Sequence, residues 1–171
     1  GHVIRKLTID RPSQDFIGLF GYVGSGGQIR NLGMENAIII GGNSVGGLVG
    51  FNDYGTLASC YAVGLVGGSG SSVGGLVGWN NSGSPTSCFW DINTSGQPTS
   101  AGGTGKTTAQ MKTLSTFTEA GWDFVNVWGI GNRQTYPYLK QLTGINRADM
   151  DYSGRVDLED LAIVANNWLG E

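Results

Sequence analysis

The chain has 171 residues, 31 of them Gly, with 39% hydrophobic residues, 13% charged residues and a formal net charge of −3. The absence of a basic patch argues against nucleic acid as partner, five Trp exclude a simply disordered chain, and the lack of a three-residue glycine period excludes collagen. Ser, Thr, Asn and Gly must supply much of the polar exterior, a style that suits a secreted or surface-exposed β protein, and no apolar run is long enough to span a membrane.

Residues 1–104 read as repeated coils. The heptapeptide Ser-Val-Gly-Gly-Leu-Val-Gly occurs at Ser44–Gly50 and again, one 28-residue step later, at Ser72–Gly78. An aromatic residue and an Asn follow each copy: Phe51-Asn52 and Trp79-Asn80. A weaker copy spans Phe16 to Tyr22. A fixed period in this range marks stacked supersecondary units. The second strand of each coil is expected at Val3–Leu7, Gln28–Leu32, Thr56–Cys60 and Pro85–Cys88, with Ile4, Ile29 and Leu57 pointing the same way. Gly-rich turns at 24–27, 41–43 and 67–70 separate the strands. The expected fold is all-β: a right-handed-type parallel β-solenoid of Gly-rich, 28-residue coils, a small mixed cap, and a C-terminal calcium loop plus helix. A small antiparallel meander is the alternative, and the in-register heptapeptide favours the solenoid. Leu48, Val49, Leu76 and Val77 are expected to pack the interior.

Gly-Gly-Leu-Val-Gly-aromatic-Asn, followed by the Ser-Cys-Tyr-Ala strand at Ser59–Ala62, resembles the GLUG repeat. The resemblance covers residues 16–92. It implies a bacterial surface or secreted β-repeat of structural or adhesive use, with no catalytic residues. Cys60 and Cys88 stand one such step apart and are expected to stack on neighbouring coils as buried, reduced thiols.

Residues 105–143 break the period. Thr107 or Thr108 is expected to N-cap a short helix, and Gly121 to end a later helical turn. Trp122, Phe124, Val125, Val127, Trp128 and Ile130 then form an apolar stretch, expected to cap the last coil.

Residues 144–171 change character. Five of the 13 acidic residues fall between Asp149 and Asp160. Asp149, Asp151 and Ser153 occupy positions 1, 3 and 5 of a twelve-residue loop, with Gly154 at the sharp turn. Arg155 offers a backbone carbonyl at position 7, Asp157 follows at 9, and Asp160 closes the loop at 12. This is the oxygen-rich spacing that Ca²⁺ requires. Leu158, Leu161, Ala165 and Trp168 fall on one face of the helix expected after it. The stretch resembles one half of a type I dockerin, which implies a protein partner of the cohesin kind. Dockerins carry two such loops, and one is present here.

Three motifs are decoys. Gly102–Thr108 lacks the first Gly and the preceding strand of a P-loop. The two Gly-x-Ser-x-Gly sequences around Ser44 and Ser72 recur in repeat register, which marks them as turns. His2 is the sole His, so a Ser-His-Asp site is not expected. Asp10, Asp15, Glu35, Asp53 and Asp91 are scattered and form no evident glycosidase pair. Asn80-Asn-Ser82 and Asn93-Thr-Ser95 match the glycosylation sequon. Residues 1–9 already read as the second strand of a coil. That suggests either a piece of a longer protein or head-to-tail contacts between copies that would build a homopolymer. The expected function is a non-enzymatic, extracellular structural or adhesive solenoid, with a cohesin adaptor and a carbohydrate-binding solenoid as alternatives.

Overall fold

The computed structural model describes residues 2–140, and its parallel sheets stack as a β-solenoid. The first coil holds β1 (His2–Arg5), β2 (Thr8–Asp10), β3 (Phe20–Val23) and β4 (Gln28–Arg30). The second holds β5 (Leu32–Gly41), β6 (Val45–Gly46), β7 (Val49–Asp53) and β8 (Thr56–Ala58). The third holds β9 (Tyr61–Gly68), β10 (Val73–Gly74), β11 (Val77–Asn81) and β12 (Ser84–Thr86). Next come β13 (Phe89–Asp91), α1 (Ile92–Ser95), β14 (Thr104–Lys106), α2 (Thr108–Met111), α3 (Leu114–Thr118), β15 (Trp128–Gly129) and β16 (Tyr138–Leu139).

Each strand of a coil lies on its counterpart in the next. The long sheet runs β1-β5-β9-β13-β14, with β2 also on β5; the other parallel sheets run β10-β6, β11-β7-β3 and β12-β8-β4, and β15 pairs antiparallel with β16. The 28-residue step is seen directly: Gln28 pairs with Thr56, Thr56 with Ser84, and Val49 with Val77. Alternate side chains point inward and build columns along the axis. One column is Ile4, Met34, Ala62 and Trp90; another is Ile29, Leu57 and Pro85. Leu48, Val49, Leu76 and Val77 are fully buried, as expected. Asn31, Ser59 and Ser87 share a left-handed backbone with φ of 51–52°. They form one stacked corner between the short strand and the long one. Asn52 is buried and donates to Asn80 Oδ1 at 2.8 Å, while Asn80 donates to Gly83 O at 3.1 Å. These amides tie the next corner together. Cys60 and Cys88 are free and buried one coil apart, and hydrogen bonding to Cys60 together with burial pushes the Cys88 thiol up.

Two expectations need correction. Val3–Leu7 does not lie in the column of β4 and β8. β1 pairs with β5, and Ile4 faces Met34 rather than Ile29. Short strand and long strand are joined by the single Asn31 corner, so alternation alone cannot tell them apart. Nor does the segment after residue 106 cover the last coil. It lies along the flank, on the outer face of the long sheet. Met111, Phe117, Trp122 and Trp128 pack there against Tyr61, Val63 and Phe89, with Val3 partly buried beside them. Gly33 makes room for this arrangement: a Cβ there would lie 2.6 Å from Cζ of the Tyr61 ring. The outward column runs Val3, Gly33, Tyr61 and Phe89, so the sheet's face, not its edge, is what the apolar segment buries. The expected Thr107 cap is present as a capping box with Gln110, and Gly121 has φ of 80° after α3.

Candidate functional site

A partly exposed aromatic row runs along the β3-β7-β11 face. Tyr22, Phe51 and Trp79 occupy one register position in successive coils. Phe51 and Trp79 stack with centroids 5.0 Å apart and planes at 22°; Phe16 stacks on the other side of Phe51 at 5.8 Å. Tyr22 meets Phe51 edge-on at 5.4 Å. Each such pair contributes about 0.5–1.5 kcal/mol beyond its buried area. Trp79 nevertheless remains 51% exposed and Tyr22 56%. Beside the row, Asp53 accepts from the Tyr22 hydroxyl at 2.6 Å and from Asn81 Nδ2 at 2.8 Å. That hydrogen bond raises the Tyr22 hydroxyl pKa above its ordinary value. The row was partly visible in the sequence, as the aromatic residue after each heptapeptide. Its exposure was not.

Two acids regarded as scattered are structural. Asp91 is fully buried at the end of β13 and caps α1. Its Oδ1 accepts from the Asn93 and Thr94 amides at 2.9 and 3.2 Å. The Thr108 hydroxyl lies 2.8 Å from Oδ2, and the Tyr136 hydroxyl donates to Oδ2 at 2.8 Å. Burial, then this bond, pushes the Tyr136 hydroxyl up. Glu35 pairs with Arg5 at 3.1 Å and stands 2.6 Å from the Tyr61 hydroxyl, which also lies 2.6 Å from Pro137 O. Burial, then Glu35, raises Tyr61 well above the ordinary tyrosine range. A shallow groove of about 250 Å³ lies between Leu114, Phe124, Ile130 and Tyr138. Its cation, Lys140, is engaged with the carbonyls of Phe124 and Val125 at 2.7 and 3.1 Å.

Of the decoys, Ser44 falls at a turn, whereas Thr104–Lys106 of the Gly102–Thr108 segment forms strand β14 against β13 rather than a flexible corner. Ser44 is buried with φ of 53°. Lys106 sits over the Phe89 ring at 5.9 Å rather than in a phosphate loop. Among the described residues, no group of His, Cys, Asp and Glu could hold a metal ion, and no helix is long and apolar enough to cross a membrane. The expected calcium ligands Asp149, Asp151, Ser153, Arg155, Asp157 and Asp160 lie outside the described residues. So do Leu158, Leu161, Ala165 and Trp168 of the expected partner face.

No family model matches the chain, and no solved structure matches it. Known proteins do resemble it in sequence. The chain is 42% identical over 69 residues, 40% of its length, to a halomucin of Haloquadratum walsbyi. It is 44% identical over 102 residues, 57% of its length, to a protein of Evansella cellulosilytica described as a Gly-rich membrane protein. The chain spans 1% and 12% of the lengths of these relatives.

Proposed function

We propose that this chain is a non-enzymatic structural or adhesive module of a secreted or cell-surface protein, followed by one calcium-binding loop. One observation carries the structural part: the distinctive side chains serve neighbouring coils. Phe16, Phe51 and Trp79 stack on one another, and Asn52 and Asp53 bond to Asn80 and Asn81 one coil on. Side chains used this way make a rod of fixed register. Similarity to a halomucin and to a protein described as a Gly-rich membrane protein supports a surface or secreted location. The spacing of Asp149, Asp151, Ser153, Arg155, Asp157 and Asp160 supports calcium. Leu158, Leu161, Ala165 and Trp168 would then offer an apolar stripe to a cohesin-like protein domain.

Calorimetric titration of the whole chain tests the calcium reading. One Ca²⁺ is expected per chain, with the heat lost in Asp149→Ala and in Asp160→Ala. A flat titration of the unaltered chain sinks it. Adding a cohesin domain to the calcium-loaded chain tests the partner in the same cell.

The aromatic row favours a second reading, carbohydrate binding. Rings stacked along the axis show mainly their edges to solvent. Among the described residues Trp79 ends its stack, with Phe51 covering one face at 5.0 Å and half of its surface open. That open face is a platform for a sugar ring. On this reading, electrophoresis through gels containing soluble polysaccharides retards the chain, and Trp79→Ala abolishes the retardation. An unretarded parent chain removes the reading.

A further inference from the structure

The turn of chain after the third coil is cut short. Tyr61 pairs with Phe89, 28 positions on, but Phe89 pairs with Thr104 after only 15. Helix α1 takes four of those residues. Residues 99–101 then run beside the heptapeptide of the third coil: the Gly75 amide donates to Thr99 O, and the Ala101 amide to Val77 O. The Val77 amide also donates to Ser100 Oγ at 2.8 Å. From there the chain passes close over Pro85 and Leu76 through two glycines. A Cβ at Gly102 would fall 2.5 Å from Cγ of Pro85, and one at Gly103 2.7 Å from Cδ2 of Leu76. An approach this close needs residues without side chains. The shortcut omits the stretch that would lie on Trp79 to Asn81. Among the described residues, β11 pairs with β7 alone.

That omission leaves the indole on a ledge. Phe51 covers one face of Trp79, and 51% of the residue stays open. Phe51 itself offers no second plate, because Phe16 stacks on its other side at 5.8 Å. Side chains two positions apart on a strand share a face, so Asn81 stands beside Trp79 on the outside of β11. Asp53 has the same relation to Phe51 on β7 and is the register partner of Asn81. Asn81 Nδ2 donates to Asp53 Oδ1 at 2.8 Å, and the Tyr22 hydroxyl donates to Oδ2 at 2.6 Å. These bonds fix the carboxylate. Among the described residues they leave the Asn81 side-chain carbonyl and its second N–H unpaired. The charge in this cluster is negative.

We infer that the ledge takes a single neutral hexopyranose residue of a glycan, with Asn81 and Asp53 reading its hydroxyls; the inference rests on the carbohydrate reading above. A pyranose ring carries C–H bonds on its faces and hydroxyls at its rim. Its C–H face matches one indole plate. Its rim meets an amide that both donates and accepts, and a carboxylate that accepts. One apolar surface with a few convergent polar groups is the usual make-up of a small-molecule site. A uronic acid or a sulfated sugar would set a second negative charge against Asp53. A longer run of sugar rings gains no further stacking, because Phe51 is covered on both faces.

The test runs the whole chain through native gels holding a neutral galactomannan, a neutral β-glucan or the uronate polymer alginate. At least one neutral gel should retard the chain, and alginate should not. An excess of free mannose, galactose or glucose, whichever the retarding polymer contains, should relieve the retardation completely; this readout needs no variant. Asn81→Ala should weaken binding by about three- to tenfold. Asp53→Asn should weaken it similarly and let alginate retard the chain. Unaltered far-ultraviolet circular dichroism marks both variants as folded. Retardation that free hexose cannot relieve, or equal retardation in alginate, overturns the single neutral hexose and leaves the broader carbohydrate reading standing. No retardation in any gel removes both.

Discussion

Replacing Asp91 by Ala lowers the unfolding free energy by about 3–5 kcal/mol. The carboxylate is fully buried and gathers donors from three separate pieces of chain: the first turn of α1, Thr108 at the start of α2, and Tyr136 near β16. Its removal leaves the Asn93 and Thr94 amides and two hydroxyls without their acceptor around the fully buried position of the carboxylate. A buried group stripped of its partner costs its full desolvation, which is why the loss exceeds that of an ordinary surface cap. Asp91→Asn keeps the Oδ1 cap but sets an amide against the hydroxyls, and roughly half of the loss is expected. Tyr136→Phe removes a single donor and should cost about 1–1.5 kcal/mol. Urea unfolding followed by tryptophan fluorescence orders the three variants. An Asp91→Ala chain within about 0.5 kcal/mol of the parent, the range of an ordinary surface change, would show that the network is not made.

Gly46→Ala is the second large effect, at about 3 kcal/mol. A Cβ at Gly46 would run into Val49 O of its own copy and fall 2.6 Å from the Gly78 amide nitrogen and 2.7 Å from Leu76 O. The last two belong to the next copy of the heptapeptide. Backbone cannot swing aside as a side chain does, so the coils must part. Gly26 provides the contrast. Its φ is 79° and nothing lies within 4 Å of an added Cβ, so Gly26→Ala carries only left-handed strain, about 1 kcal/mol. Parallel denaturation curves decide the point. Equal losses at the two positions would mean that coil spacing is not what Gly46 protects.

The 28-residue ruler made the stack legible before any coordinates. It placed β6–β7 on β10–β11 and the two thiols on adjacent coils. Residues inside the ruler were read well because one repeat supplies the register for the next. Ile4 was misplaced because it lies in the first coil, where pairing shifts to a 30-residue offset: His2 lies beside Leu32. The flank was misread for a different reason. Met111, Phe117, Trp122 and Trp128 announce burial, but nothing local says whether they meet an edge or a face. Asp91 looked like any other acid. Two of its donors lie 17 and 45 residues away, and only closure of the flank assembles them. The aromatic row sat in plain view after each heptapeptide, but exposure is a property of the stacked surface and cannot be read from one strand. The calcium pattern at Asp149–Asp160 stands on its spacing alone.

A stack in which each coil touches only its neighbours melts from its weakest end, coil by coil. The flank changes that here. One apolar layer spans Val3 in the first coil, Tyr61 and Val63 in the third, and Phe89 beyond it. Tyr61 also reaches Pro137, across 76 positions of chain. Loosening the first coil therefore disturbs a layer that also serves the last. The flank acts as a splint across what would otherwise be separable units, and it makes the rod open in one cooperative event instead of fraying.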